Sequence, residues 1–147
     1  MSLEKSQEIR ASVRPLSINI YVPNCIGEEL SKLLAYVGTA KVELKDGYLM
    51  IESDDIRGLF IHKQFKLSTG RLVDDYVTIL EAEDDGKLFV ITNTDADEEG
   101  VWLMDAAEAA DFICSFLEIS TSDLKELLTR AQALEVLPTL AKWMDGR

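Results

Sequence analysis

The segment from Lys41 to Glu52 constrains the fold more than any other part of the chain, because it contains two short strands around Asp46-Gly47. Asp-Gly is a preferred centre for a two-residue hairpin turn, in which both residues need positive φ. The predicted pairs are Leu44 with Leu49, Val42 with Ile51 and Lys41 with Glu52. This register keeps the apolar side chains on one face, as a true hairpin requires. The sequence therefore predicts an antiparallel hairpin here.

Further strands are indicated by apolar residues that alternate with polar ones or run together between turn residues. Besides the hairpin, the predicted strands are residues 16–22, 59–67, 77–83, 87–93 and 101–104. A second Asp-Gly pair, Asp85-Gly86, predicts another hairpin, with Ala82 opposite Phe89 and Leu80 opposite Ile91. Because these connections are too short for helical crossovers, we expect a mainly antiparallel sheet of about six to seven strands.

Apolar residues at spacings of three and four predict the helices. One helix follows the first strand, beginning near Asn24 and ending at Gly38. Two to three more follow the last strand. The first of these begins at Asp105, which forms a capping-box pattern with Glu108, and the next runs from Thr121 or Ser122 until Pro138 ends or kinks it. The predicted class is α+β, with the helices covering one face of the sheet.

A chain of 147 residues fits one domain, residues 1–147. Within it, we expect residues 1–14 to be a flexible or weakly helical N-terminal arm and residues 121–147 a C-terminal helical tail. No run approaches the roughly 18 apolar residues of a membrane helix, so no membrane is expected. Cys25 and Cys114 lie far apart without metal-ligand spacing, which indicates free thiols and a cytoplasmic location.

The formal charge of the chain is concentrated in one segment. From Asp74 to Asp111 there are thirteen acidic residues and one base, Lys87, which together carry the whole net charge of −12. In the rest of the chain, acidic and basic residues are equal in number. Such a charge block points to an interaction surface, and it argues against nucleic acid as a partner because phosphate binding needs clustered lysines and arginines.

These features favour a non-enzymatic protein-interaction module, adaptor or chaperone-like, that presents an acidic surface to a basic protein partner. No catalytic residue and no cofactor is predicted. The predicted partner-binding residues are Glu81, Glu83, Asp84, Asp85, Asp95, Asp97, Glu98 and Glu99, with Trp102 and Trp143 as apolar anchors. Because Leu140, Trp143 and Met144 are difficult to bury in one small core, a homodimer through the C-terminal helices is also expected.

Two alternatives remain open. The loop Asp95–Gly100 resembles the start of a calcium-binding loop, since Asp95, Asp97 and Glu99 precede a glycine, but Ala106 stands where a bidentate glutamate is needed. This pattern is consistent with a weak divalent-cation site and a ligand-responsive domain. The other alternative is an enzyme whose dispersed residues, such as Cys25, His62 and a carboxylate, are brought together by the fold.

Overall fold

The computed structural model describes residues 7–21, 28–38, 40–82, 86–94 and 100–146. It contains six strands, β1 to β6, and four α-helices, α1 to α4, which confirms the predicted α+β class. The strands are β1 (Gln7–Tyr21), β2 (Lys41–Lys45), β3 (Tyr48–Lys66), β4 (Leu72–Glu81), β5 (Lys87–Thr94) and β6 (Gly100–Asp105). The helices are α1 (Glu28–Val37), α2 (Ala106–Leu117), α3 (Thr121–Arg130) and α4 (Pro138–Asp145).

The strands form one antiparallel sheet in the order β1-β3-β4-β5-β6, with β2 paired to β3. Strand β3 unites two strands that the sequence predicts as separate, which is why the sheet has six strands. Its register against β1 shifts between Pro15 and Leu16, so that three residues of β3, 54–56, bulge between the two paired halves. The first half of β3 pairs with β2 and the second half with β4.

Helices cover both faces of the sheet, and the prediction that they cover a single face is wrong. Helices α2, α3 and α4 pack on a cluster that includes Ile61, Ile79 and Val90. Helix α1 packs on the opposite face, against a second cluster that includes Ile18 and Phe89. The physical reason is visible in β4 and β5, whose consecutive side chains are buried, because strands enclosed on both faces need apolar residues at successive positions.

The N-terminal arm is also predicted wrongly where it can be compared. Residues 7–14 form the first half of β1 and pair with β3, while residues 1–6 lie outside the described residues. Ile9, Ala11 and Val13 pack against the cluster beneath the C-terminal helices. These side chains alternate with polar ones, which is the pattern of a strand with one buried face.

The two predicted hairpins have different outcomes. The pairing about Asp46-Gly47 is confirmed residue by residue, and both turn residues have positive φ. The register predicted about Asp85-Gly86 is wrong by two residues. Leu80 lies opposite Phe89 and not Ile91, and the Ala82 backbone N–H donates to the Lys87 carbonyl. A two-residue shift leaves every side chain on its original face, so hydrophobic patterning alone does not detect it.

The C-terminal helices begin and end at recognisable signals. The predicted capping box is confirmed, since the Asp105 carboxylate accepts from the Glu108 backbone N–H at 2.9 Å. Ser120 caps α3, which ends at Arg130, earlier than predicted, and Pro138 begins α4 rather than ending a helix. Among the described residues, no helix has the length and apolar character needed to cross a membrane.

Lys63 joins the sheet to the end of α2. Its ammonium group is buried and donates to the backbone carbonyl of Phe116 at 2.7 Å, within the last turn of the helix. The aromatic rings of Phe65 and Phe116 each lie 5.5 Å from this nitrogen. A cation at a helix C-terminus is favoured by the helix dipole, so this contact fixes α2 over the sheet.

Candidate functional site

A groove of about 580 Å³ opens between α2, α3 and α4. Helix α2 contributes one face, with residues spaced three or four apart, and the other helices contribute one residue each. The lining residues are Ala107, Glu108, Ala110, Asp111, Cys114, Thr121 and Trp143. The two alanines leave space on the α2 side, and most of the groove surface is apolar, as is usual for a binding cleft.

The groove carries negative charge beside an aromatic ring. The side chains of Glu108 and Asp111 are exposed along α2, and the half-buried indole of Trp143 lies in the same groove. Within the described part of the chain, none of the ion pairs involves Glu108 or Asp111. Two unneutralised carboxylates next to a tryptophan suit an ammonium or guanidinium group, which hydrogen-bonds to carboxylates and stacks on indole rings.

The thiol of Cys114 responds to this environment. Burial raises the pKa of Cys114, a hydrogen bond with Thr121 lowers it, and the charges of Asp111 and Asp123 raise it further. Burial and the two carboxylates both oppose formation of a thiolate at Cys114. The thiol is therefore a neutral, weakly polar part of the lining.

Trp143 is held by the packing of α4. Its helix neighbours Leu140 and Met144 are fully buried in the core beneath α2, so the expectation that the tail is difficult to bury in one core is wrong. The predicted homodimer through these helices thereby loses the argument that motivated it. The half-buried Trp143 side chain packs on the same core cluster and lines the groove.

Trp102 lies elsewhere. Its side chain is 38% exposed on β6, and its ring folds back over Gly100 so closely that a Cβ added there would lie 2.6 Å from the indole. The structure therefore does not place the two predicted anchors in one groove.

Glu81 is engaged within the chain. Its carboxylate accepts from the Thr139 backbone N–H at 3.1 Å and also from the Thr139 hydroxyl. Thr139 is in the first turn of α4, where backbone N–H groups lack helical partners and an anion is favoured. Glu81 also borders a cleft of about 450 Å³ beside the bulge of β3, where Asp55 and Arg57 bring charges of both signs. These contacts indicate a structural role for Glu81.

The remaining predicted acidic residues, Glu83, Asp84, Asp85, Asp95, Asp97, Glu98 and Glu99, lie outside the described residues, as does Cys25. These acidic residues form two stretches, 83–85 and 95–99, which precede and follow β5 in the chain. The described residues that flank the stretches lie at opposite ends of β5. At a rise of about 3.4 Å per residue, its ends are about 24 Å apart. The described residues thus give no support to a single surface that combines both stretches.

His62 and Asp74 form the clearest polar cluster on the sheet. The His62 Nε2 and Asp74 Oδ1 atoms are 2.8 Å apart, and Gln64 donates to the same oxygen at 2.8 Å. The Tyr76 ring stacks on His62 with 4.5 Å between centroids. Hydrogen bonds from His62 and then from Gln64 lower the pKa of Asp74.

This cluster bears on the enzyme alternative. His62 lies on the face of β3 that also carries Phe60, whereas Cys114 is on α2, which packs against the other face. The sheet therefore separates Cys114 from His62, whereas Cys25, the thiol named in the enzyme alternative, lies outside the described residues, so that alternative stays a prediction. Among the described residues, no group of three or more potential metal-ligating side chains lies close enough together to hold an ion, and the candidate cation loop lies outside them.

The groove was only partly foreseeable. Trp143 is predicted as an anchor because it is a tryptophan in the C-terminal helices. Glu108 and Asp111 belong to the acidic segment, but neither is predicted as a site residue. The i, i+4, i+7 spacing of Ala107, Asp111 and Cys114 was a usable signal for one helix face. A comparison of the chain with protein-family models, curated proteins and solved structures finds no match.

Proposed function

We propose that the protein is a non-enzymatic interaction module that binds a basic segment of another protein in the groove between α2, α3 and α4. The observation that carries the proposal is that Glu108 and Asp111 share this groove with Trp143. A lysine or arginine side chain of the partner enters, pairs with the carboxylates and stacks its cation on the indole. Apolar neighbours of that residue cover Ala107 and Ala110.

Charge and contact have separate roles in this mechanism. The net charge of −12 attracts a basic partner from a distance and speeds encounter, an effect that salt weakens. Retention depends on the groove, where the partner's apolar groups leave water and its cation is held at short range. The acidic stretches outside the described residues and the exposed Trp102 remain predicted contributors to partner binding. The adaptor role and the cytoplasmic location also remain predictions.

The test uses the fluorescence of Trp143 in a Trp102→Phe variant, so that one indole reports. Peptides that alternate lysine or arginine with leucine are titrated against the protein, with glutamine-for-lysine versions as neutral controls. We expect the emission to shift only with the basic peptides, and the affinity to fall steeply with salt. Glu108→Gln combined with Asp111→Asn should weaken binding by about 10-fold or more, since hydrogen bonds to charged groups are worth about 1.5–3 kcal/mol.

A matched control separates the groove from net charge. Asp54→Asn combined with Glu135→Gln removes the same two charges from exposed positions that do not line the groove. Equal weakening by the two double variants would show that only overall charge matters and would contradict the groove. Binding of neutral and basic peptides with equal affinity would contradict the choice of a basic partner.

A further inference from the structure

Strand β2 is an edge strand with an open side. Among the described residues it pairs with β3 alone, and all five of its residues are exposed. A two-residue turn is closed by a hydrogen-bonded pair, here Lys45 with Tyr48. Because such pairs alternate along an antiparallel ladder, Val42 and Leu44 direct their backbone N–H and C=O groups away from β3. The open edge thus offers two complete sets of donors and acceptors.

The same two residues leave apolar side chains uncovered. Val42 is 44% and Leu44 67% exposed, although each lies opposite an apolar residue of β3, Ile51 and Leu49. Ile51 is fully buried, so the apolar face stops abruptly at the sheet edge. Open edges with apolar side chains are templates for another strand. A strand added beside β2 can cover these side chains and satisfy the free backbone groups, and its register decides which of the two residues it pairs with.

The other face of β2 indicates which strand fits. It carries Lys41, Glu43 and Lys45, so positive and negative charges alternate along the edge. An antiparallel copy of β2 related by a two-fold axis at Leu44 sets Glu43 of each strand opposite Lys45 of the other. These are non-hydrogen-bonded positions, where opposing side chains come closest. The two leucines meet at the axis on the apolar face and form the hydrogen-bonded pair, while Val42 lies opposite Asp46, a turn residue of the other copy.

We propose that the protein self-associates through β2, with a second copy adding its β2 antiparallel about an axis at Leu44. The contact uses the same patch on both copies, so it closes as a dimer. An axis at Glu43 would set glutamate against glutamate and Lys41 against Lys45, and like charges directly opposite are unfavourable. A contact built on one short strand is small, so the dimer is weak and forms only at high concentration. This surface is separate from the groove.

Sedimentation measurements on the full chain from about 5 μM to 1 mM, at about 0.15 M salt so that the Debye length is about 8 Å, test the proposal. We expect a concentration-dependent dimer in the wild type. Glu43→Lys and Lys45→Glu should each weaken it by at least 10-fold, whereas the double swap Glu43→Lys with Lys45→Glu restores opposite charges and should recover most of the affinity. Circular dichroism checks that each variant is folded.

Lys41→Glu is the matched control. It changes the net charge as Lys45→Glu does, on the same exposed strand, but at the Leu44 axis it faces no charged residue of the second copy. Equal loss of dimer in these two variants would show a general charge effect and overturn the pairing. A chain that stays monomeric at 1 mM, or a dimer that no β2 variant alters, would also overturn it. In the second case the interface lies elsewhere, and the C-terminal helices become the next surface to test.

Discussion

Gly58→Ala tests whether the bulge in β3 depends on close packing against β4. Gly58 follows the bulge and lies opposite Arg14 of β1. A Cβ at this position would lie 2.5 Å from Leu80 Cδ2 and 3.0 Å from the Ile79 carbonyl oxygen. Leu80 is fully buried, so its side chain has little room to withdraw. The methyl group therefore forces a shift of the leucine or of the strand backbone.

The size of the effect follows from two opposing contributions. Overpacking a filled core costs about 1–3 kcal/mol, while replacing glycine by alanine stabilises by about 0.4–1 kcal/mol through the unfolded chain. We expect the free energy of unfolding to fall by about 1–2 kcal/mol. For a chain of this size that corresponds to a decrease in Tm of about 2–8 °C. Urea denaturation followed by circular dichroism measures the change.

A second substitution identifies the cause. Leu80→Val removes Cδ2 while keeping a side chain suited to a strand, and by itself it should cost about 1 kcal/mol. In the Leu80→Val background, Gly58→Ala should lower the free energy of unfolding by at least about 1 kcal/mol less than in the wild type. A smaller loss should remain, because the new Cβ still contacts the Ile79 carbonyl oxygen. Gly146→Ala is the control, because its Cβ would meet only ordinary contact at 3.5 Å. If Gly58→Ala is neutral, or costs the same in both backgrounds, the packing argument fails.

Two predictions concern titratable groups. Because the pKa of Asp74 is lowered in the folded protein, its carboxylate adds stability above the unfolded pKa near 3.8, and this stability is lost as pH falls through the folded pKa. Asp74→Asn should therefore destabilise the protein at pH 5 but hardly at pH 2. Equal destabilisation at both pH values would contradict this prediction. Because the pKa of Cys114 is raised, iodoacetamide at pH 8 should alkylate it more slowly in the native than in the urea-unfolded form of a Cys25→Ser variant, and equal rates would contradict this prediction.

The parts of the fold that were predicted correctly are those set by local chemistry. Asp46-Gly47 fixes its hairpin because two residues with positive φ admit one register. Asp105 and Glu108 fix the start of α2 because each side-chain carboxylate accepts from the other residue's backbone N–H within one turn. In both cases all the residues that decide the structure are close in sequence.

The parts that were predicted wrongly depend on distant residues. The position of α1 on the opposite face follows from side chains of β4 and β5 that are apolar on both sides, which the sequence does contain. The continuity of β3 through its bulge depends on β1, about forty residues earlier in the chain. The groove likewise needs three helices to pack, so Trp143 could be predicted as an anchor but its acidic neighbours could not.

The residues of the acidic segment belong to several strands and to α2, so different parts of the segment lie in different places on the fold. The stretches on either side of β5 join its opposite ends, about 24 Å apart, which is about three Debye lengths at physiological salt. The acidic residues of the two stretches themselves lie outside the described residues. Within α2 the segment is described, and Glu108 and Asp111 line one groove with Trp143. Under the proposed function, short-range binding energy concentrates at Glu108 and Asp111, while the net charge of −12 acts on encounter. A binding constant and an association rate should then respond to different acidic residues.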